Sequence, residues 1–189
     1  ARMTGRGGTS GIGTASFAAG GFLLDGGHSF GVVMEKAAFL PSSASRGVRP
    51  PEVLLRREFP EAWKVLLVIP DVPPGASGGT EKDLFSRYCP VPLEEVRELC
   101  HLVVASLLPG LAEEDLDLFG SAINRMQELG FKKVENTLQA PGVGDLVRAM
   151  REAGAAGAGL SSFGPAVYAF GEGRMHDVES AALEILPSL

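Results

Sequence analysis

Hydrophobic and polar positions change period several times along the chain, and each change predicts an element. Ile12, Ala15, Phe17 and Ala19 predict a helix that Thr9 or Ser10 caps and Gly20-Gly21 ends. FLLDGGHSFG follows, a short apolar run closed by a Gly-Gly turn, and PSSASRGVRPP (Pro41 to Pro51) reads as a surface loop. EVLLRREF from Glu52 and KVLLVIP from Lys64 predict two strands separated by a turn at Pro60. The second is apolar enough to expect at the centre of a sheet. Asp71 to Pro92 is irregular and reads as a functional loop or disorder; Glu81, Lys82 and Asp83 are either a solvated charge run or a polar lid in which Lys82 or Arg87 meets a 5′-phosphate.

Helical spacing then takes over. Leu93, Val96, Leu99, Cys100, Val103, Val104 and Leu107 fall on one face, and Pro109-Gly110 is expected to stop that helix. A second helix carries Leu116, Phe119, Ile123, Met126 and Leu129, closed by Gly130, and a third runs from Val143 to Gly154. AGAGL, an SSFGP turn and AVYAF predict strand, loop, strand, and a last helix spans about Met175 to Leu186. Helices gathered on a sheet make this an α+β fold.

Composition narrows the function classes. With 45% hydrophobic and 21% charged residues, the 189-residue chain packs a core. A net charge of −6 argues against nucleic acid as a partner, because that binding rests on clustered Lys and Arg. No apolar run approaches the ~20 residues of a membrane helix. Cys89 and Cys100 are too few for a disulfide framework, which fits a reduced, cytoplasmic setting. Trp63 is expected in the core.

Glycine is the unusual feature. GRGGTSGIGTASFAAGG, from Gly5 to Gly21, holds seven glycines ahead of and around the first helix. Amide groups free of Cβ obstruction, together with the positive end of a helix, suit an anion. A Walker loop is excluded, since Gly8 rather than Lys precedes Thr9, and the dinucleotide fingerprint fails at Ser10. The stretch leaves no room for a strand before it, so the chain reads as a fragment of a longer protein. A second element, GAAGAGLSSFGPAVYAF from Gly154, pairs with the first to suggest two walls of one cleft.

These two elements resemble the phosphate loop and the C-terminal glycine motif of the GHMP small-molecule kinase superfamily. GRGGTSGIG, GGFLLDGGHSFG and GLSSFGPAVYAF are more similar still to one branch, the β-ribofuranosylaminobenzene 5′-phosphate synthases. The resemblance implies a GHMP-kinase-like two-domain fold. Residues 1 to about 60 would be the end of a ribosomal-S5-like domain and about 61 to 189 a ferredoxin-like C-terminal domain. It further implies a homodimer whose substrates are 4-aminobenzoate and phosphoribosyl pyrophosphate, joined with loss of CO2 and pyrophosphate in tetrahydromethanopterin biosynthesis, with Mg2+ as cofactor. Pyrophosphate is then expected on Arg6, Gly7, Gly8, Thr9, Ser10, Gly11 and Gly13, and on Ser161, Ser162 and Gly164 of the late motif. Asp25 and His28, three residues apart across Gly-Gly, are the candidates for catalysis. The plain alternative is a turn in which Asp25 caps local N–H groups. The rival functions are a GHMP-type kinase moving the γ-phosphoryl of ATP onto a small alcohol, and a non-catalytic binding protein.

Overall fold

The computed structural model describes residues 11–27, 52–73, 75–76 and 79–188. These fall into two units, residues 1–59 with 77–90 and residues 60–76 with 91–189, each taken here by itself.

In the first unit, α1 (Ile12–Ala19) leads into β1 (Phe22–Asp25), which pairs antiparallel with β2 (Val53–Arg57). The helix ends where expected, on Gly20 at φ 60°, whose N–H returns to the Ser16 carbonyl. Its start differs. The cap position falls on Gly11, which has no side chain to offer, and not on Thr9 or Ser10, which lie outside the described residues. Arg56 of β2 closes the other end, donating from Nε and Nη2 to the Ala19 carbonyl at 3.1 and 2.9 Å. Gly21 is required where it stands, because a Cβ there would sit 2.5 Å from the Arg57 carbonyl oxygen. Residues 79–88, expected as loop, form α2 (Gly79–Tyr88). Glu81 in its first turn and Arg87 in its last complement the helix dipole, a signal that outweighs the glycines before it. The 41–51 loop lies outside the described residues.

The second unit is built on an antiparallel sheet of β3 (Trp63–Val68), β5 (Val167–Glu172) and β4 (Gly157–Leu160), with β5 in the middle. The expectation that KVLLVIP is central is therefore corrected: β3 is an edge strand among the described residues. Its apolar run reflects unequal faces. Leu66 and Val68 join the core, while Val65 and Leu67 are 53% and 58% exposed. The core lies on the Val68, Leu160, Val167 and Ala169 face, under Val143, Leu146 and Met150 of α7 (Val143–Glu152) and Val178 and Ala182 of α8 (His176–Ile185).

The opposite face carries α5 (Leu116–Met126), where Phe119 packs against Trp63 and Phe170 with ring centroids 5.0 and 5.3 Å apart. Trp63 is buried, as expected. The approach of α5 to β4 is set by glycine. A Cβ on Gly120 would lie 2.3 Å from the Ala156 carbonyl oxygen, and one on Gly157 would lie 2.8 Å from the Gly120 Cα.

Three helix boundaries depart from the sequence pattern. Pro109-Gly110 does not stop the helix. α3 (Leu93–Leu102) passes through a π turn at Val103–Leu107 into α4 (Leu108–Glu113). The Leu108 N–H reaches five residues back to the Val103 carbonyl, so the ladder is already offset before the donor-less Pro109 arrives. That offset also rotates the expected face: Leu107 is buried but Val104 is 69% exposed. The chain turns instead at Glu114, in the left-handed region at φ 57°, and Asp115 caps α5 by accepting from the Leu118 N–H at 2.9 Å. Gly130 opens a further helix, α6 (Gly130–Thr137), where the sequence reading had it close α5. Glu95 of α3 accepts from the Gly130 N–H at 2.6 Å, a tertiary bond that local pattern does not encode.

β4 has no strand on its outer side among the described residues, and side chains stand in for one. Asn124 donates to the Ala156 carbonyl and accepts from the Ala158 N–H, both at 3.0 Å. Gln127 accepts from the Leu160 N–H at 3.0 Å, and Arg151 donates twice to the Ala158 carbonyl at 3.2 and 2.6 Å. Lys132 reaches the Leu160 carbonyl at 3.2 Å. Removing one partner strands a backbone group at about 1–3 kcal/mol each. Asn124→Ala, which strands two, is expected to lower unfolding free energy by about 2–6 kcal/mol in urea titration. Gly120→Val is expected to do at least as much by forcing α5 off β4.

Candidate functional site

The first candidate is the turn between β4 and β5. Ser161 closes it with two backbone bonds: its N–H donates to the Ala166 carbonyl and its carbonyl accepts from the Gly164 N–H, each at 2.9 Å. Ser162 at φ 50° and Gly164 at φ 69° both sit in the left-handed region. That conformation folds the loop back without breaking the strand register. Ser161 and Ser162 are exposed at the tip, whereas Phe163 turns inward, buried and packed edge-on against Phe131 with centroids 5.7 Å apart.

The turn is held from α6. Lys132 Nζ donates to the Leu160 and Ser162 carbonyls at 3.2 and 3.1 Å and also pairs with Glu135. Gln139 donates to the Glu135 and Phe163 carbonyls at 2.9 and 3.0 Å. Lys132 and Gln139 were not singled out from the sequence. FKKVENTLQ has no motif, and only the fold brings it under the turn. Gly164 is constrained twice, since its backbone is left-handed and a Cβ would meet Gln139 Oε1 at 2.3 Å. Behind the turn, burial raises Tyr168 from an ordinary phenol to about 12. Its hydroxyl accepts from Gln127 at 3.2 Å.

In the other unit, Gly11 and Gly13 stand at the start of α1. No acidic side chain occupies the first turn, and a Cβ on Gly13 would meet nothing within 4 Å. First-turn amides lack intrahelical acceptors, so this end is positive; Gly11 there is buried and Gly13 exposed. Asp25 ends β1 and accepts from the Gly27 N–H at 2.7 Å, the local capping geometry of a tight turn. His28, Arg6, Gly7, Gly8, Thr9 and Ser10 lie outside the described residues. Ser161, Ser162 and Gly164 thus share one turn, and Gly11 and Gly13 one helix start. The two glycine elements expected to wall one cleft fall in different units. Among the described residues, no group of three His, Cys, Asp or Glu side chains is arranged to hold a metal ion, and no helix is long and apolar enough to cross a membrane.

Residues 107–186 match the family described as GHMP kinases C terminal. Solved GHMP-type relatives bear out the α+β GHMP-kinase-like fold. The homoserine kinase of Cytophaga hutchinsonii superposes with a TM-score of 0.58 at 22% identity, over 73% of this chain and 41% of that one. The mevalonate kinase of L. major superposes with a TM-score of 0.51 at 19% identity, over 76% and 43%. Sequence similarity is far higher elsewhere. The beta-ribofuranosylphenol 5'-phosphate synthase of Methanocaldococcus jannaschii is 50% identical over 93% of this chain and 52% of its own length. That of Methanothermobacter thermautotrophicus is 45% identical over 98% and 55%. The chain spans about half the length of these curated relatives. The matched stretch includes α4 to α8 and the β4–β5 turn.

Two outcomes test this geometry. Gly164→Ala is expected to cost about 2–3 kcal/mol, strain plus displacement of Gln139, whereas Gly173→Ala, at φ 60° with no atom near its Cβ, costs only the ~1 kcal/mol of strain. Thermal melts of the two variants provide the comparison. Tyr168 is protonated in the folded state to higher pH than in the unfolded chain, so its contribution is complete below pH 10 and is lost as pH rises toward 12. Tyr168→Phe is expected to flatten the stability profile over that interval, read by denaturant midpoints at each pH.

Proposed function

We propose that this protein is a decarboxylating phosphoribosyltransferase that joins an amino- or hydroxy-substituted benzoate to phosphoribosyl pyrophosphate. What carries the reading is the 45–50% identity to synthases named for a ribofuranosylphenol 5′-phosphate, running through nearly the whole chain. The kinases share the fold at only 19–22% identity. In the reaction, the ring carbon bearing the carboxylate bonds to the sugar C1 as the C1–O bond to pyrophosphate breaks. The carboxylate then leaves as CO2, and its bonding electrons restore the ring.

The chain's task is to stabilise charge on the departing pyrophosphate. We assign that role to the α1 start at Gly11 and Gly13, extended by Arg6 to Ser10, and to the Ser161, Ser162 and Gly164 turn. Preorganised donors of this kind are worth roughly 3–4 kcal/mol each at a developing oxyanion. Asp25 and His28 are the proposed groups for positioning the acceptor ring. Mg2+ belongs to the proposal as a companion of the pyrophosphate. The described residues offer it no cage, so no step here runs through it. The same reading takes residues 1–60 as the end of the N-terminal GHMP domain and 61–189 as the C-terminal one, in a cytoplasmic homodimer serving tetrahydromethanopterin biosynthesis.

The expected result is release of labelled CO2 from carboxyl-labelled 4-aminobenzoate or 4-hydroxybenzoate by the full-length protein with phosphoribosyl pyrophosphate and Mg2+. Ser161→Ala with Ser162→Ala is expected to lower kcat/KM by about tenfold or more with the melting temperature unchanged. Absence of CO2, with ATP consumed on a small alcohol instead, would overturn the assignment in favour of a kinase.

A further inference from the structure

From Leu160 to Phe163, every backbone carbonyl of the β4–β5 turn is bound by a donor of the chain itself. Lys132 Nζ takes those of Leu160 and Ser162 at 3.2 and 3.1 Å. The Gly164 N–H takes that of Ser161 at 2.9 Å, and Gln139 Nε2 takes that of Phe163 at 3.0 Å. Gly75 also closes on the Phe163 carbonyl, so near that a Cβ there would collide with it. What the turn has left over is of the opposite kind. The Ser162 N–H and the Ser161 and Ser162 hydroxyls have no hydrogen-bond partner among the described residues, and both serines are exposed. A hydroxyl donates when its ligand can only accept. With those four acceptors committed, the two serines offer three donors to solvent, the makings of an anion nest.

Lys132 does more than brace this loop. Ser162 stands at φ 50°, a left-handed conformation that strains a non-glycine residue and persists only where its surroundings hold it. The holding contact is on its own carbonyl, which Nζ grips together with that of Leu160. Once released, the Ser162–Phe163 peptide unit can rotate to relieve the strain, and the Ser162 carbonyl then swings away from α6. A carbonyl dipole among the three donors repels a phosphate oxygen. Glu135, its side chain only 10% exposed, pairs with the ammonium and keeps it under the turn.

We propose that Lys132 is a positioning residue for anion binding by this turn: by drawing the Leu160 and Ser162 carbonyls to its ammonium, it keeps the Ser161–Ser162 face a donor surface selective for phosphate oxygens. The inference rests on the assignment of the turn to the substrate's pyrophosphate and adds the residue that gives the turn its electrostatic sign.

Sodium pyrophosphate is the probe, titrated into the full-length protein by calorimetry and followed at the Ser162 amide by 1H–15N NMR. Saturable binding that shifts the Ser162 amide is expected in the wild type, and Ser161→Ala with Ser162→Ala is expected to weaken it. Lys132→Met with Glu135→Gln removes the ammonium without leaving a buried carboxylate unpaired. In that double variant pyrophosphate is expected to bind about tenfold or more weakly and to leave the Ser162 amide unmoved. The amides of Leu146 and Val178 in the core are expected to keep their positions, which a merely structural loss would shift as well. Lys132→Arg, which keeps a cation with donors for both carbonyls, is the second variant and is expected to retain binding. Undiminished binding in the double variant, or loss of binding in Lys132→Arg with the core amides unmoved, would overturn the role of Lys132. Provided the serine variant still loses binding, either result leaves the turn as the pyrophosphate site. No saturable binding by the wild type, or binding that leaves its Ser162 amide unmoved, would overturn that assignment and the inference with it.

Discussion

The second unit depends on one constraint: β4 is buried on both faces but has a neighbouring strand on one side only among the described residues. Unpaired backbone groups in such a place are costly. The cost is met by side chains from three helices. Asn124 and Gln127 from the α5 segment, Lys132 from α6 and Arg151 from α7 bond in sequence to Ala156, Ala158 and Leu160. Those bonds fix where each helix lies. The glycines of GAGL complete the arrangement, since a Cβ on Gly159 would lie 2.4 Å from the Gln127 carboxamide.

The same bonds reach the candidate site. Lys132 spans the last carbonyl of β4 and the Ser162 carbonyl, and Gln139 takes the Phe163 carbonyl. The exposed serines therefore stand on a turn whose backbone is tied to a helix, which fixes their Cα positions. That suits preorganisation better than closure over a ligand, because a backbone already placed needs no reordering when charge develops.

Much of this was legible in the residues. The β4–turn–β5 hairpin, the α5, α7 and α8 helices and the end of α1 follow from period, Gly and Pro. Gly157 and Gly159, in the AGAGL stretch read as a strand, do lie inside β4, where they also admit a helix, while Gly164 is the glycine of the turn itself. Sequence does not distinguish a glycine needed for close packing from one needed for φ. Nor did it show the α3–π–α4 continuation, whose cause is a five-residue bond at Leu108, or the opening of α6 on Glu95, 35 residues away. Arg151 was not singled out from the sequence; only the tertiary fold gives it the Ala158 carbonyl to hold.

The three-stranded sheet has margins of opposite character. Along β4 the row of amide and guanidinium groups leaves no register for an incoming strand. Along β3, with Val65 and Leu67 open to solvent and Lys64 before them, no such row is present among the described residues. Lateral growth of the sheet is thus directional: pairing with a foreign chain is barred at one border and left to a single lysine to discourage at the other.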